Sequence, residues 1–246
     1  MQLLGTSGKS KSRTVRDACS SALNLVGVLV CLAILSGAAA PKGAIVEVTS
    51  VRQLIGHGVQ FEAAAHAGKR GFRLTPDPAV EVHDGGVFAE IADVSFENGV
   101  IEADISGEPH TGSSETARGF VGFAFHVSSD RSHYEYIYIR PTNGRADDQV
   151  RRNHSTQYSS HPDYPWHRLR SESPAAYESY VDVVPGRWTH VRIEVNGNKA
   201  RLYVDQAPQP TLIVNDLKLG TANGGIGLWI GPETVAHFAN VRITRQ

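Results

Sequence analysis

Cysteine is almost absent from this sequence. Of 246 residues only Cys19 and Cys31 are cysteines, and both lie in an amino-terminal stretch that we interpret as a cleaved leader. The chain that remains then has no disulfide and no thiol nucleophile. A domain of roughly 200 residues can bury a core large enough to fold without such crosslinks. We therefore expect a fold that its core alone stabilises.

The sequence also lacks an apolar run long enough to span a bilayer, which takes about 20 residues. Its apolar run covers residues 25–35, after a basic stretch that ends at Arg16 and before Ser-Gly-Ala-Ala-Ala. This order is typical of a secretory signal peptide. We predict a signal peptide at residues 1–39, cleaved near Ala39, and one domain over residues 40–246 that is secreted or periplasmic. An uncleaved amino-terminal anchor is the alternative.

Neither sign of charge is in excess. Lys and Arg together number 24 and Asp and Glu number 25, which gives a formal net charge of −1. A chain of this kind generates no strong field that would attract nucleic acid or an anionic membrane surface. We therefore expect neither nucleic acid nor, after signal cleavage, a membrane as a partner. The sequence leaves the oligomeric state unknown.

Helical periodicity is missing as well. Apolar and polar residues instead alternate in residues 99–106, 120–127, 188–205 and 224–231. The turn Asn196-Gly197-Asn198 inside the third of these segments is typical of a β-hairpin. Many short strands separated by Gly, Asn and Pro predict an all-β sandwich or barrel. Residues 59–67 fit either a strand or a helix.

Residues 141–182 do not alternate and form a long connection. Connections of this length inside a domain are usually functional or disordered, and disordered segments are poor in aromatic residues. This one contains five aromatic residues, namely Tyr158, Tyr164, Trp166, Tyr177 and Tyr180. We therefore predict an ordered loop lobe that folds over the sheet.

Five segments carry a resemblance to a known family: "FENGVIEADIS", "RGFVGFAFHV", "YEYIYIRPTNG", "PGRWTHVRIEVNGNKARLYVD" and "GGIGLWIG". In this order they resemble the concanavalin A-like lectin/glucanase superfamily, and within it laminin-G-like modules and bacterial 3-keto-disaccharide hydrolase domains. The likeness covers residues 80–246. It implies an antiparallel two-sheet jelly roll with sugar sites on the concave sheet and its rim. Such a fold does not by itself define a reaction.

The segment "HYEYIYIRP" at residues 133–141 suggests a ligand site. In a strand its tyrosines share one face with Arg140, while Ile137 and Ile139 share the other. Aromatic rings suit the C–H faces of sugars, and their hydroxyls suit sugar hydroxyls. The predicted ligand-binding residues are Tyr134, Tyr136, Tyr138, Arg140, His126, Asn143, Gln157, Tyr158 and Trp166. The alternative is that the 141–182 lobe packs on the tyrosines and no ligand does.

Three carboxylates are candidates for catalysis. Glu102 and Asp104 lie two residues apart on one strand face, about 7 Å along the chain, and glycosidases need two carboxyl groups about 5–10 Å apart. Laminarinase-type enzymes of this superfamily carry a tighter glutamate–aspartate–glutamate run, and Glu108 comes too late to complete it here. Glu135 is the third candidate, although its position on the aliphatic face favours a salt bridge with an arginine.

Metal sites have little support in the sequence. The histidines of the lobe do not have the spacing of a zinc site. Asn143, Asp147 and Asp148 offer oxygen ligands beside a glycine turn, so calcium is the alternative to a solvated turn. No other cofactor is expected.

The sequence thus predicts a secreted β-sandwich that binds carbohydrate on an aromatic-rich sheet face. One alternative is a glycoside hydrolase of the same fold that uses Glu/Asp acid–base chemistry. Another is a protein–protein interaction module, as many laminin-G-like domains are.

Overall fold

The structure is a computed structural model that describes residues 43–246. The predicted signal peptide lies outside the described residues. Within them the strands are β1 (Ile45–Val48), β2 (Leu54–His57), β3 (Val59–His66), β4 (Lys69–Pro76), β5 (Val87–Ile91), β6 (Gly99–Pro109), β7 (Val121–Val127), β8 (Tyr134–Ile139), β9 (Thr156–His161), β10 (Glu178–Ser179), β11 (Thr189–Asn196), β12 (Lys199–Val204), β13 (Leu212–Val214), β14 (Gly225–Ile230) and β15 (Thr234–Arg245). The helices are α1 (Gln149–Asn153), α2 (Trp166–Glu172) and two 3₁₀ turns, Val51–Gln53 and Pro141–Asn143.

The strands form two antiparallel sheets. The eight-stranded sheet has the order β13-β12-β11-β6-β15-β4-β3, with β1 paired to β15, and the seven-stranded sheet has the order β10-β9-β8-β7-β14-β5-β2. This confirms the all-β class and the two-sheet sandwich. Residues 59–67, which fitted a strand or a helix, form β3 as a strand and pair with β4.

One hydrophobic core lies between the sheets. Ile101 and Ile193 reach it from the eight-stranded sheet, and Ile137 and Leu228 reach it from the seven-stranded sheet. Each fully buried aliphatic side chain of this size contributes about 1.5–3 kcal/mol of hydrophobic free energy. The alternation predicted for these strands is confirmed, since their apolar positions are the buried inward ones.

A β-bulge interrupts the alternation at the end of β7. Ala124 pairs with Gly227 and Val127 with Gly225, so that Phe125 and His126 together lie opposite Ile226. His126 takes the left-handed backbone conformation (φ 54°) that such an extra residue requires. The bulge turns His126 inward and Val127 outward, so His126, one of the predicted ligand-binding residues, does not share the outer face with the tyrosines of β8.

The 141–182 segment is ordered, as predicted, but it is not only a loop lobe. It contributes β9 and β10, which extend the seven-stranded sheet beyond β8. It also forms α1 and α2, two helices too short to give a helical period in the sequence. Among residues 43–246 no helix has the length and apolar character that a membrane span needs.

Candidate functional site

The tyrosines of β8 lie on the face of the seven-stranded sheet that points away from the core. Tyr134, Tyr136 and Tyr138 form a separate aromatic cluster there with Trp229, whereas Ile137 belongs to the core. The predicted division of faces is confirmed. The expectation that these rings are open to a ligand is wrong, because the three tyrosines are only 1–4% exposed.

The segment before β5 covers these rings. The hydroxyl of Tyr136 donates to the carbonyl of Asp84 across 3.0 Å, and that of Tyr134 donates to the carbonyl of Gly85 across 3.0 Å. The indole of Trp229 also donates to Gly85, and His161 of β9 stacks on Tyr134 at 4.7 Å between ring centroids. The rings therefore contribute to packing, which is the alternative that the sequence left open.

Arg140 joins the tyrosine cluster to the 141–182 segment. Its Nη2 donates to the hydroxyl of Tyr138 at 2.9 Å and to Gln157 Oε1 at 3.1 Å, and its Nη1 donates to Glu178 at 3.2 Å. The Gln157 amide in turn donates to two backbone carbonyls, and the whole side chain is buried. Arg140 and Gln157 therefore act as internal connections, and Gln157 is not accessible to a ligand.

Three further predicted residues meet inside the sandwich. Glu135 accepts hydrogen bonds from the Tyr158 hydroxyl at 2.8 Å and the backbone N–H of Leu219 at 2.9 Å, and it pairs with His126 at 3.1 Å. All three side chains are buried. Burial, followed by the charge of Glu135, raises the pKa of Tyr158 well above its usual value. Catalysis by Glu135 and ligand contact by Tyr158 or His126 do not fit this closed position; the expected partner of Glu135, an arginine, is a histidine instead.

A cavity of about 940 Å³ lies on the opposite side of the molecule, on the outer face of the eight-stranded sheet. We call it the carboxylate cleft and define it by Glu102, Asp104, His190, Asn240, Arg70 and Arg242. His190 contacts Asp104 through Nδ1 at 3.0 Å and Glu102 through Nε2 at 3.1 Å. The two catalytic candidates of β6 are thus brought to one cavity and bridged by a histidine of β11.

Asp104 carries the strongest interactions in this cleft. Lys69 Nζ donates to it at 2.7 Å, and Asn240 donates to the same oxygen. Burial alone would raise the pKa of Asp104, but the hydrogen bonds from Lys69, Asn240 and His190 outweigh burial and lower it. Asp104 is therefore ionised at neutral pH, which suits a base or nucleophile and not an acid.

A second large cavity, of about 610 Å³, lies beside the covered tyrosines. We call it the arginine pocket and define it by Arg118, Phe120, Arg140, Asn143, Arg151 and Trp166. Three of the predicted ligand-binding residues, Arg140, Asn143 and Trp166, line it. Phe120 and Trp166 are half-buried, so they present ring surface to the cavity.

The aromatic and basic groups of the arginine pocket are stacked on one another. The Arg140 guanidinium lies 6.0 Å from the ring centroids of both Phe120 and Trp166, and Arg170 lies 4.6 Å from Trp166. The Trp166 indole N–H donates to Asp84 at 3.1 Å, which fixes the ring. Cation–π contacts of this kind contribute about 0.5–2 kcal/mol each and hold the rings in place.

Asn143 and Asp148 organise the segment that bounds this pocket. Asn143 donates to the carbonyl of His154 at 3.0 Å and accepts from Arg151 Nε at 2.9 Å. Asp148 caps α1 by accepting from the backbone N–H of Arg151 at 2.8 Å, and Asp147 is exposed. In the part of the chain that the structure describes, no group of three His, Cys, Asp or Glu side chains is placed to hold a metal ion.

Sequence reasoning missed several residues of both cavities. Arg118 and Phe120 open the segment "RGFVGFAFHV" just before β7, but neither is among the predicted ligand-binding residues. His190 is not among the predicted residues, because only the pairing of β11 with β6 sets it opposite Asp104. Lys69 reaches Asp104 from β4, a strand whose position in the sheet the sequence did not indicate.

Comparison with known proteins gives distant likenesses only. No family model matches the chain, and no curated protein matches it. The carbohydrate binding module CBM66 from Bacillus subtilis is a similar solved structure, 15% identical, with a TM-score of 0.47 over 76% of this chain and 96% of that one. The β-glucanase of Bacillus licheniformis is 12% identical, with a TM-score of 0.45 over 83% of this chain and 100% of that one.

A third similar structure is domain 4 of AbnA, a GH43 extracellular arabinanase from Geobacillus stearothermophilus, in complex with arabinotriose. It is 15% identical, with a TM-score of 0.40 over 76% of this chain and 82% of that one. Likeness at this level concerns the fold alone. The antiparallel two-sheet sandwich expected from the sequence is the architecture that the chain's own strand pairing shows.

Proposed function

We propose that this chain is a secreted or periplasmic carbohydrate-binding module that holds a saccharide in the arginine pocket. The observation that carries the proposal is the lining of this cavity, where the accessible rings of Trp166 and Phe120 stand beside guanidinium groups. Ligand sites of about 300–1,000 Å³ typically combine aromatic surface with a few placed polar groups. The signal peptide predicted at residues 1–39 supports export.

The proposed binding mode separates the roles of the residues. The Trp166 ring stacks on the C–H face of one sugar unit, and Phe120 contacts its edge. Arg151, which Asn143 holds in place, supplies hydrogen-bond donors to ring hydroxyls. Arg140 and the tyrosines behind it position these groups and do not contact the sugar.

A retention assay on immobilised polysaccharides tests this mode. We expect Trp166→Ala to weaken retention about five-fold or more, since loss of one stacking ring costs about 1 kcal/mol or more. Tyr180→Ala is the matched control, because Tyr180 is an exposed aromatic residue outside the pocket. Equal retention by the Trp166→Ala variant would remove the pocket from consideration, and binding to a protein partner alone would favour an interaction module.

Calcium dependence is tested in the same assay. We propose that binding needs no cofactor, so chelation followed by added calcium should change neither retention nor the unfolding temperature. A rise in the unfolding temperature that Asp147→Asn removes would instead assign a calcium site to this turn.

Hydrolysis in the carboxylate cleft is the second candidate function. One observation favours it: Glu102 and Asp104 share a cavity and both contact His190. In such a reaction Asp104 would act as base or nucleophile and Glu102 as the acid. Release of reducing sugar that Glu102→Gln and Asp104→Asn abolish would support this function, with Glu194→Gln, on the same strand as His190 but outside the cleft, as the control.

A further inference from the structure

The charge of the arginine pocket is unevenly compensated. Arg140 and Arg170 both pair with Glu178. Arg118 and Arg151 form no ion pair with a carboxylate among residues 43–246. Two guanidinium groups therefore line this cavity without a carboxylate of the described residues in salt-bridge contact.

Arg118 keeps one edge of its guanidinium free. Only Nη1 is engaged, by the carbonyls of Glu115 at 2.6 Å and Ala117 at 3.0 Å. Nε and Nη2, which make up the edge that pairs side-on with an oxyanion, donate to none of the described residues.

Arg151 is held through the edge that Arg118 leaves free. Its Nε donates to Asn143 at 2.9 Å and its Nη2 to the Thr142 hydroxyl at 3.1 Å, which leaves Nη1 without a partner among the described residues. The backbone N–H of Thr142 donates to the carbonyl of Arg118 at 3.3 Å, so Thr142 ties both arginines to one place. Burial, followed by the charges of Arg151 and Arg140, lowers the pKa of Arg118.

The carboxylates on the rim are occupied elsewhere. Asp84 binds the Trp166 indole and His167, and Asp148 caps α1. Glu233 accepts from the backbone N–H of Ser114 at 2.8 Å and from its hydroxyl. The three acids are thus engaged by groups other than the free edge of Arg118 and Nη1 of Arg151.

We propose that the arginine pocket takes an acidic saccharide, whose carboxylate or sulfate group binds between Arg118 and Arg151 while its ring stacks on Trp166. This inference rests on the proposed function, because it names the class of sugar for the same site. An oxyanion supplies acceptors for the free edge of Arg118, whose fork matches its geometry, and for Nη1 of Arg151.

Calorimetric titration of the purified protein tests the inference. The probes are oligogalacturonate and a sulfated oligosaccharide, each compared with its carboxyl-reduced or desulfated counterpart, so that only the charge differs within a pair. We expect at least one acidic member to bind ten-fold or more tightly than its neutral counterpart, with weaker binding at high salt. The pair of probes that shows the preference identifies the bound group as a carboxylate or a sulfate.

Two variants assign the preference to these residues. Arg118→Gln and Arg151→Gln should each bring the acidic and neutral members of the pair to equal affinity, and Arg118→Lys should restore the preference only in part because it lacks the fork. Arg187→Gln, an exposed arginine outside the pocket, should keep the full preference. Since Arg118 also holds two backbone carbonyls, its variants are accepted only with an unchanged unfolding temperature, and Arg151→Gln is the second, independent test.

The remaining outcomes separate this inference from the proposed function. If both members of each pair bind equally and their binding depends on Trp166, the proposed preference for an acidic saccharide is overturned. The proposal of carbohydrate binding in the pocket then still stands. Competition by free acetate or sulfate as strong as that by the oligosaccharide would show an anion site without sugar recognition, which also overturns it. If no saccharide binds, both the inference and the proposed function fail.

Discussion

Arg140 and Tyr138 form a single stacked and hydrogen-bonded unit at the edge of the arginine pocket. The guanidinium lies 5.0 Å from the centroid of the Tyr138 ring and donates to its hydroxyl at 2.9 Å. The same guanidinium donates to Glu178 and Gln157, so one buried side chain connects β8, β9 and β10. Arg140 therefore connects the tyrosine cluster to the wall of the arginine pocket.

Arg140→Ala tests that connection through stability. We expect a loss of about 3 kcal/mol in the free energy of unfolding, because Glu178 stays buried with one partner fewer. Tyr138→Phe removes only the hydroxyl and should cost about 1 kcal/mol. Urea denaturation measures both. Arg145→Ala, which breaks the exposed pair with Asp182, is the control and should leave the midpoint unchanged; an equally small effect of Arg140→Ala would show that the connection is not structural.

Alkaline pH should destabilise the fold. Burial raises the pKa of Tyr134, Tyr136 and Tyr158 above the usual value near 10. The unfolded chain ionises these tyrosines above about pH 10 while the folded chain keeps them neutral, so their stabilising effect is complete below that pH and is lost as the pH rises beyond it. Denaturation curves across this range, together with tyrosinate absorbance of the native protein, check the expectation. Native-state titration of all eight tyrosines near pH 10 would contradict it.

Acidic pH should act through His237. Its ring stacks on His66 at 4.0 Å between centroids, and burial, followed by the charges of His66 and Arg73, lowers the pKa of His237 to about 4. The unfolded chain is protonated at this position below about pH 6.5, so the stabilisation is present above that pH and is lost as the pH falls toward 4. Relative to wild type, His237→Gln should flatten the stability profile over this range by about 1–2 kcal/mol, after allowance for solvent screening. Parallel profiles for both proteins would contradict this role.

Gly86→Ala should loosen the cover of the tyrosine cluster. Gly86 has a φ of +69°, and an added Cβ would lie 2.5 Å from the Trp229 ring. We expect a loss of about 2–4 kcal/mol and a shift in tryptophan fluorescence, because the cover must move away from the ring. Gly68→Ala is the matched control, with a φ of +82° and no atom within 4 Å of the added Cβ. Equal losses in both variants would mean that backbone strain alone, and not contact with Trp229, sets the cost.

The sequence by itself determined the class of fold. Period-two alternation separates Ile137 from Tyr138 in β8, and the Asn-Gly-Asn turn fixes the hairpin of β11 and β12. Both signals are local, because side chains of neighbouring residues in a strand point to opposite faces whatever else the chain does. Alternation fails where a bulge adds a residue, as at His126, since a bulge depends on the partner strand.

The tertiary structure alone decided which polar residues are accessible. Tyr136 and Trp166 are both aromatic residues that the sequence placed at a ligand site, yet a segment some fifty residues earlier in the chain seals Tyr136 and leaves Trp166 half-exposed. Asp104, His190 and Lys69 meet only because three strands far apart in sequence are close in one sheet. Exposure and long-range pairing depend on how segments pack, and a single alternating pattern contains no information about that packing.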